Sequence, residues 1–205
     1  MTAERIVGAA EALIEAEGFA ALSMRRLADR LGISAMTPYR YFATKDELLS
    51  ALAQRRLRDL DPPSADLPWQ EQVAAVFRAT HRLFLEHPEL AEIAARQHLN
   101  AVAADRTAEV VFGALRRAGL DAEQAVHAFH ALTSFTVGFT LRRVHLGAQD
   151  QGDPRRVARL RALPPDEFEH FQELAAVYAG GLSDRQFDTG LDLLIRGIST
   201  MGTTT

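Results

Sequence analysis

With 205 residues, 47% hydrophobic and 24% charged, the chain is long enough to bury a sizeable core and too apolar to be disordered. The absence of cysteine excludes disulfides and thiolate chemistry, and a net charge of −4 excludes a surface that is basic all over. The opening "MTAERIVGAAEALIEAEG" spaces its charges throughout, unlike a signal peptide. The longest nearly uncharged run, "AVHAFHALTSFTVGFTL" (125–141), carries two histidines and four hydroxyl residues and is shorter than the roughly 20 apolar residues of a membrane span. A cytoplasmic protein with no membrane partner is expected.

No segment alternates apolar and polar residues with the period of a half-buried strand, so the expected fold is all-α. A first helix spans about Ala3 to Glu17, with Ile6, Ala10 and Leu13 or Ile14 inward and Gly18 as terminator. The second opens at Ser23 as N-cap, buries Leu27, Ala28 and Leu31, and stops at Gly32. A very short third helix starts at Ser34 or at Thr37. Thr44 with Glu47 reads as a capping box for a fourth, "KDELLSALAQRRLRDL", which ends before Pro62 and Pro63. Longer helices follow over 69–86, 89–100, 103–118, 121–145, 166–178 and 183–199. The connection 147–165 leaves room for one short helix, and its four arginines suit either a solvated loop or a second nucleic-acid contact.

Charge is distributed unevenly. Residues 1–50 hold six basic and seven acidic side chains, yet Arg25, Arg26, Arg30, Arg40 and Lys45 cluster between 25 and 45, against Asp29 alone before Asp46. Two helices joined by a glycine turn, the second very short and rich in groups that bind phosphates and bases, have the layout of a helix-turn-helix. On a helical wheel Pro38 and Phe42 share the inward face, while Met36 and Arg40 point opposite.

The run "LSMRRLADRLGISAMTPYRYFATKDELL", with Ile6, Ala10, Leu13 and Gly18 upstream, resembles the DNA-binding domain of the TetR family of bacterial transcriptional regulators over roughly residues 5–50. The resemblance implies a three-helix DNA-binding domain over 1–50, a linker helix from about 44 to 60, and a ligand-binding and dimerisation bundle over 66–205. By position it places Arg25, Ala35, Met36 and Arg40 at base edges, and Ser23, Thr37, Tyr39, Tyr41 and Lys45 at phosphates. The chain departs from the commoner family form in having Pro38, not leucine, before Tyr39. If Ser34 is the cap, Pro38 removes the first intrahelical hydrogen bond. If Thr37 caps, Pro38 occupies N1, where proline is favoured; an irregular or 3₁₀-like start is expected.

The region 125–141 is apolar all round, which calls for partners on both sides. Residues 183–199 carry a capping box (Ser183, Gln186) and the seam Phe187, Leu191, Leu194, Ile198, with Gly190 allowing close approach. An intrachain core explains the seam alone. The resemblance implies instead a four-helix homodimer interface, built from these residues with Phe129, Leu132, Thr136 and Phe139, reading a palindromic double-stranded operator.

From 69 onward, "HPELAEIA", "LRRAGLDAEQAVHAFHALTSFTVGFTL" and the last helix are similar to the tetracycline-repressor-like C-terminal domain. Where that domain's tetracycline binders carry a histidine and an acid for a magnesium chelate, this chain has alanines around Ala94 and the basic Arg142. An unknown small-molecule effector is expected in a pocket drawn from Phe77, His81, Phe84, His98, Phe112, His130, Phe135 and Tyr178, with no cofactor and no metal. His127 and His130 lack a second pair of ligands. A ligand-responsive repressor is the leading reading and an activator or ligand-independent DNA binder the alternative. An all-helical enzyme is remote, because no nucleophile elbow, phosphate loop or metal-ligand cluster is present.

Overall fold

The computed structural model describes residues 1–96, 106–146 and 153–201, and among these only helices, turns and bends occur. Helix α1 (Ala3–Glu17) is capped by the Thr2 hydroxyl and ends at Gly18. One 3₁₀ turn, Phe19–Ala21, leads into α2 (Met24–Leu31), whose first turn is capped by Ser23 Oγ accepting from Arg26 N. Gly32 closes α2 in the left-handed region (φ 65°, ψ 35°), which costs glycine nothing. There Ile33 N–H donates to Ala28 O at 3.0 Å and Gly32 N–H to Asp29 O at 3.2 Å, the paired bonds of a Schellman stop.

The expected short α-helix after this turn is one 3₁₀ turn, Pro38–Arg40. Both proposed starts take part. Thr37 N–H donates to Ser34 O at 2.8 Å, while Pro38 occupies the first position of the 3₁₀ turn with Thr37 already at helical dihedrals and its side chain making no cap bond. Proline has no N–H to give to Ser34 O, so the α-ladder cannot pass through this point.

Helix α3 (Lys45–Arg58) starts at Thr44, whose hydroxyl accepts from Glu47 N; Glu47 returns a bond to the N–H of Ala43, one residue before the cap. The body comprises α4 (Trp69–Glu86), α5 (Pro88–Arg96), α6 (Arg106–Arg117), α7 (Ala122–Leu146), α8 (Pro154–Arg161), α9 (Pro165–Ala179) and α10 (Asp184–Met201). The expected end of α5 and start of α6 fall outside the described residues.

Two apolar cores result. The first joins Ile6, Leu13, Leu22, Leu27, Phe42 and Leu48 to Leu52 and Ala53 of α3, and continues into Leu83 and Phe84 of α4, α5, and Val137 of α7. The N-terminal helices are thereby fused to α5 through α3. The second core gathers α4, α6, α7 and α10 around Val73, Phe77, Val111, Leu115, Leu132, Phe187 and Leu191.

This second core takes up much of the expected dimer seam within one chain. Phe187, Leu191 and Ile198 are 1%, 0% and 5% exposed within one chain, and Leu132 and Thr136 are equally closed off. They pack α10 on α7 of the same chain. Gly190 does allow a close approach, but to Phe135 of its own α7: a Cβ at 190 would run into that ring. Phe129, Phe139 and Leu194 are half-buried against the same core. The outer faces of α7 and α10 instead carry Val126, His127, His130, Ser134 and Gly138, and Thr189, Leu193 and Gly197, all exposed.

Candidate nucleic-acid interface and ligand cavity

Exposure and hydrogen-bond capacity decide what the helix-turn-helix offers a duplex. Pro38 and Phe42 face inward and are buried, which leaves Ala35, Met36, Tyr39, Arg40 and Tyr41 exposed around the 3₁₀ turn. Met36 is 67% exposed, an apolar side chain with no partner in its own chain to explain it. Phosphate oxygens only accept, so what counts is which donors are still free. Arg25 and Arg40 are exposed and make no ion pair among the described residues. Ser23 uses its oxygen lone pair for the α2 cap and keeps its own O–H. Lys45 is held over the Phe19 ring, 5.5 Å from its centroid, and Thr37 is half-buried.

Two features narrow the expected surface. Arg26 and Arg30 both pair with Glu17 at the end of α1, so the basic groups left for DNA are Arg25, Arg40 and Lys45. Tyr41 already donates its hydroxyl to Met1 O at 2.6 Å. A phosphate contact from Tyr41 requires that bond to be exchanged.

The body holds a cavity of about 80 Å³, several times the roughly 10–15 Å³ that one water needs. Its walls come from both cores: Phe84, Leu90, Ala94 and Val137 from the first, Val76, Phe77 and Phe129 from the second. Ala53 and Leu57 of α3 close one side, and Thr80, Thr107, Ala108, Thr133 and Thr136 complete the lining. No ionisable side chain is among these residues. Ala94 stands in the wall, and Arg142 lines a separate groove beside α9.

Of the expected pocket residues, Phe77 and Phe84 line the cavity. The other described ones are elsewhere. His81 is buried off the cavity, His130 is exposed on the outer face of α7, and Tyr178 is exposed on α9. Phe112 packs on Phe129 with centroids 4.8 Å apart, and Phe135 stacks on Phe187. His98 lies outside the described residues. Phe129 and Thr136, expected at a dimer interface, are cavity walls. The residues missed, Thr133 among them, had one legible signal: hydroxyls recurring through an otherwise apolar helix.

His81 anchors a polar joint between α4, α7 and α10. Its ring stacks on Phe187 at 3.8 Å between centroids, and Nδ1 is 2.7 Å from Thr140 Oγ1. Thr140 Oγ1 also donates to Thr136 O, and Nε2 faces both Arg143 at 3.4 Å and Asp184 at 3.5 Å. Burial first, and Arg143 second, pull the His81 pKa below its ordinary value. Arg143 also pairs with Asp184 and holds that carboxyl below its ordinary range.

Comparison with known proteins agrees with this geometry. Residues 6–52 match the family described as bacterial regulatory proteins, tetR family, and residues 62–202 match the tetracyclin repressor-like C-terminal domain. An HTH-type transcriptional regulator of Saccharopolyspora erythraea is 29% identical over 204 residues, covering 97% of this chain and 85% of that protein. The crystal structure of the Streptomyces coelicolor TetR family protein ActR in complex with actinorhodin superposes with a TM-score of 0.86 at 30% identity, covering 100% of this chain and 99% of that one. That of BioQ, a Mycobacterium smegmatis protein, with its double-stranded DNA operator gives 0.68 at 28% identity, over 97% and 98% of the two chains. Among the described residues no helix is long and apolar enough to cross a membrane. The sequence matches over both halves, the glycine-stopped helix-turn-helix and the helical body around a cavity place this chain in the TetR family of bacterial transcriptional regulators.

Proposed function

We propose that this regulator is a cytoplasmic homodimeric repressor, released from a palindromic operator when a small molecule enters the cavity. The observation that carries this reading is the position of that cavity. It lies at the boundary between the two cores and is walled on one side by Ala53 and Leu57, on the helix whose other end begins at Lys45. Interiors are close-packed, so a ligand that fills or enlarges this space moves α3 and α5 against the α4–α6–α7–α10 core and does not deform them smoothly. Residues 1–50 then act as the reading head, α3 to about residue 60 as the lever, and 66–205 as the sensing and dimerising body.

Two heads reading a two-fold site must be spaced by about one turn of B-DNA, near 34–36 Å, or a multiple of it. The ligand weakens DNA binding only by the difference in its affinity for the two head spacings. Arg25 and Arg40 read bases, with Ala35 and Met36 against thymine methyls, while Ser23, Thr37, Tyr39, Tyr41 and Lys45 hold phosphates.

The test is gel-shift binding of the purified chain to the intergenic DNA beside its own gene. Selective binding, lost in Arg25→Ala and Tyr39→Ala and weakened by salt, is the expected result. Equal affinity for random DNA of the same length would rule the reading head out.

A further inference from the structure

Four threonines line the cavity, and two of them use their hydroxyls differently from the norm in a helix. Thr80 gives its proton to Val76 O at 3.0 Å, one turn back, as Thr140 outside the cavity does to Thr136 O. Such a hydroxyl has only lone pairs left. Thr133 and Thr136 are 9% and 1% exposed, and neither Oγ1 has a hydrogen-bond partner among the described residues. Both protons are unspent, in a wall whose other described residues are Phe, Leu, Val, Ala and two further threonines, Thr80 and Thr107. A buried hydroxyl with no acceptor is costly, and a ligand that supplies one removes the cost.

From this pair we infer that the cavity is a site for an uncharged ring compound bearing a carbonyl oxygen, which accepts from the hydroxyls of Thr133 and Thr136. The inference rests on the ligand-gated reading for its biological use, and on the cavity alone for its chemistry. Positions 133 and 136 are three apart on α7, so their side chains lie on one helix face, about 5–6 Å apart at Cβ. One carbonyl oxygen with two lone pairs, or two acceptors on one flat ring system, meets both. Among the described lining residues there is no cation to pair with a carboxylate, and burying an unpaired charge is far costlier than burying a ketone. The ligand class is therefore neutral aryl ketones and related carbonyl compounds, and carboxylates of the same shape are refused.

Calorimetric titration of the full chain with three shape-matched probes tests this: acetophenone, ethylbenzene and benzoate. Acetophenone is expected to bind about three- to tenfold more tightly than ethylbenzene, the range one net hydrogen bond supports, and benzoate more than about a hundredfold more weakly. Thr133→Val/Thr136→Val should abolish the preference for the ketone over the hydrocarbon while ethylbenzene still binds. Thr133→Ser/Thr136→Ser should keep it, and thermal melting of each variant checks that it folds. Benzoate binding as tightly as acetophenone, a ketone preference that survives the double valine change, or no acetophenone binding up to its solubility each overturns the inference. Gel shifts on the same preparations separate this from the regulator reading. A chain that shifts operator DNA without the ketone preference sinks only the ligand class, whereas one with the preference and no DNA selectivity sinks only the regulator.

Discussion

At the residue scale, the unsatisfied hydroxyls and the buried histidine each make a prediction about stability. Leaving a buried hydroxyl unpaired costs about 1–3 kcal/mol, so Thr133→Val and Thr136→Val, which keep the shape of the side chain, should raise the melting temperature of the unliganded chain. The expected gain is about 2–4 °C for each kcal/mol recovered. Scanning calorimetry reads it directly, and a fall in melting temperature would mean the hydroxyls are bonded. His81 links stability to pH. Its folded pKa lies below its ordinary value near 6.5, because burial and then Arg143 disfavour the imidazolium. Above 6.5 the ring is neutral in both states and has no effect on the balance. As pH falls below 6.5 the unfolded chain takes up a proton that the fold refuses, and stability declines until the lowered folded pKa is passed. Urea titrations at steps below pH 6.5 should show this decline, and His81→Gln should flatten it. Pro38 governs affinity more than stability: Pro38→Leu restores an N–H that can reach Ser34 O, letting an α-turn replace the 3₁₀ turn. The fold should persist while operator preference changes, and unchanged binding across a panel of operator variants would contradict the idea.

Between elements, what could be read in the sequence follows the range of the interaction. Ser23, Gly32, the Thr44–Glu47 pair and the Ser183–Gln186 pair act within three or four residues, and each stands where its local chemistry places it. Pro38 was legible for the same reason. The faces of α7 and α10 were not. A helix apolar all round has no periodicity to orient it, and a four-three-four seam is the same signature whether the facing helix belongs to the same chain or to another. Phe187 and Leu191 carry that signature while packing inside their own chain. The basic cluster is smaller than its sequence suggests because Glu17, on a different helix, neutralises Arg26 and Arg30 across the turn. Gly190 tests the α7–α10 contact itself. In an exposed helix Gly→Ala stabilises by about 1 kcal/mol, but a methyl at 190 must displace the Phe135 ring, and overpacking costs about 1–3 kcal/mol. Gly190→Ala should therefore be neutral to destabilising, and Phe135→Leu in the same chain should restore the gain. A plain stabilisation by Gly190→Ala alone would show that the helices do not meet there.

For the whole molecule, two outward glycines give the proposed homodimer a testable contact face. Gly138 in α7 and Gly197 in α10 are exposed, and a Cβ at either would meet nothing within 4 Å. Each costs its helix about 1 kcal/mol relative to alanine with no return inside one chain. A partner helix lying against them gives that return, because backbones approach closely only where side chains are absent. Leu193, 65% exposed one turn before Gly197, adds apolar area to the same face. Gly138→Leu and Gly197→Leu should therefore leave the chain folded, with unchanged or slightly higher helix content, yet convert a dimer into monomers in sedimentation velocity. Leu191→Ala, on the same helix as Leu193 but facing the chain's own core, should instead lower the unfolding free energy by about 2–5 kcal/mol. Loss of the dimer must also weaken operator binding, since a single head contributes only half of the phosphate and base contacts and a correspondingly smaller salt dependence. Monomeric wild-type protein, or leucine variants that stay dimeric, would remove this face from the assembly and with it the mechanical link from cavity to head spacing.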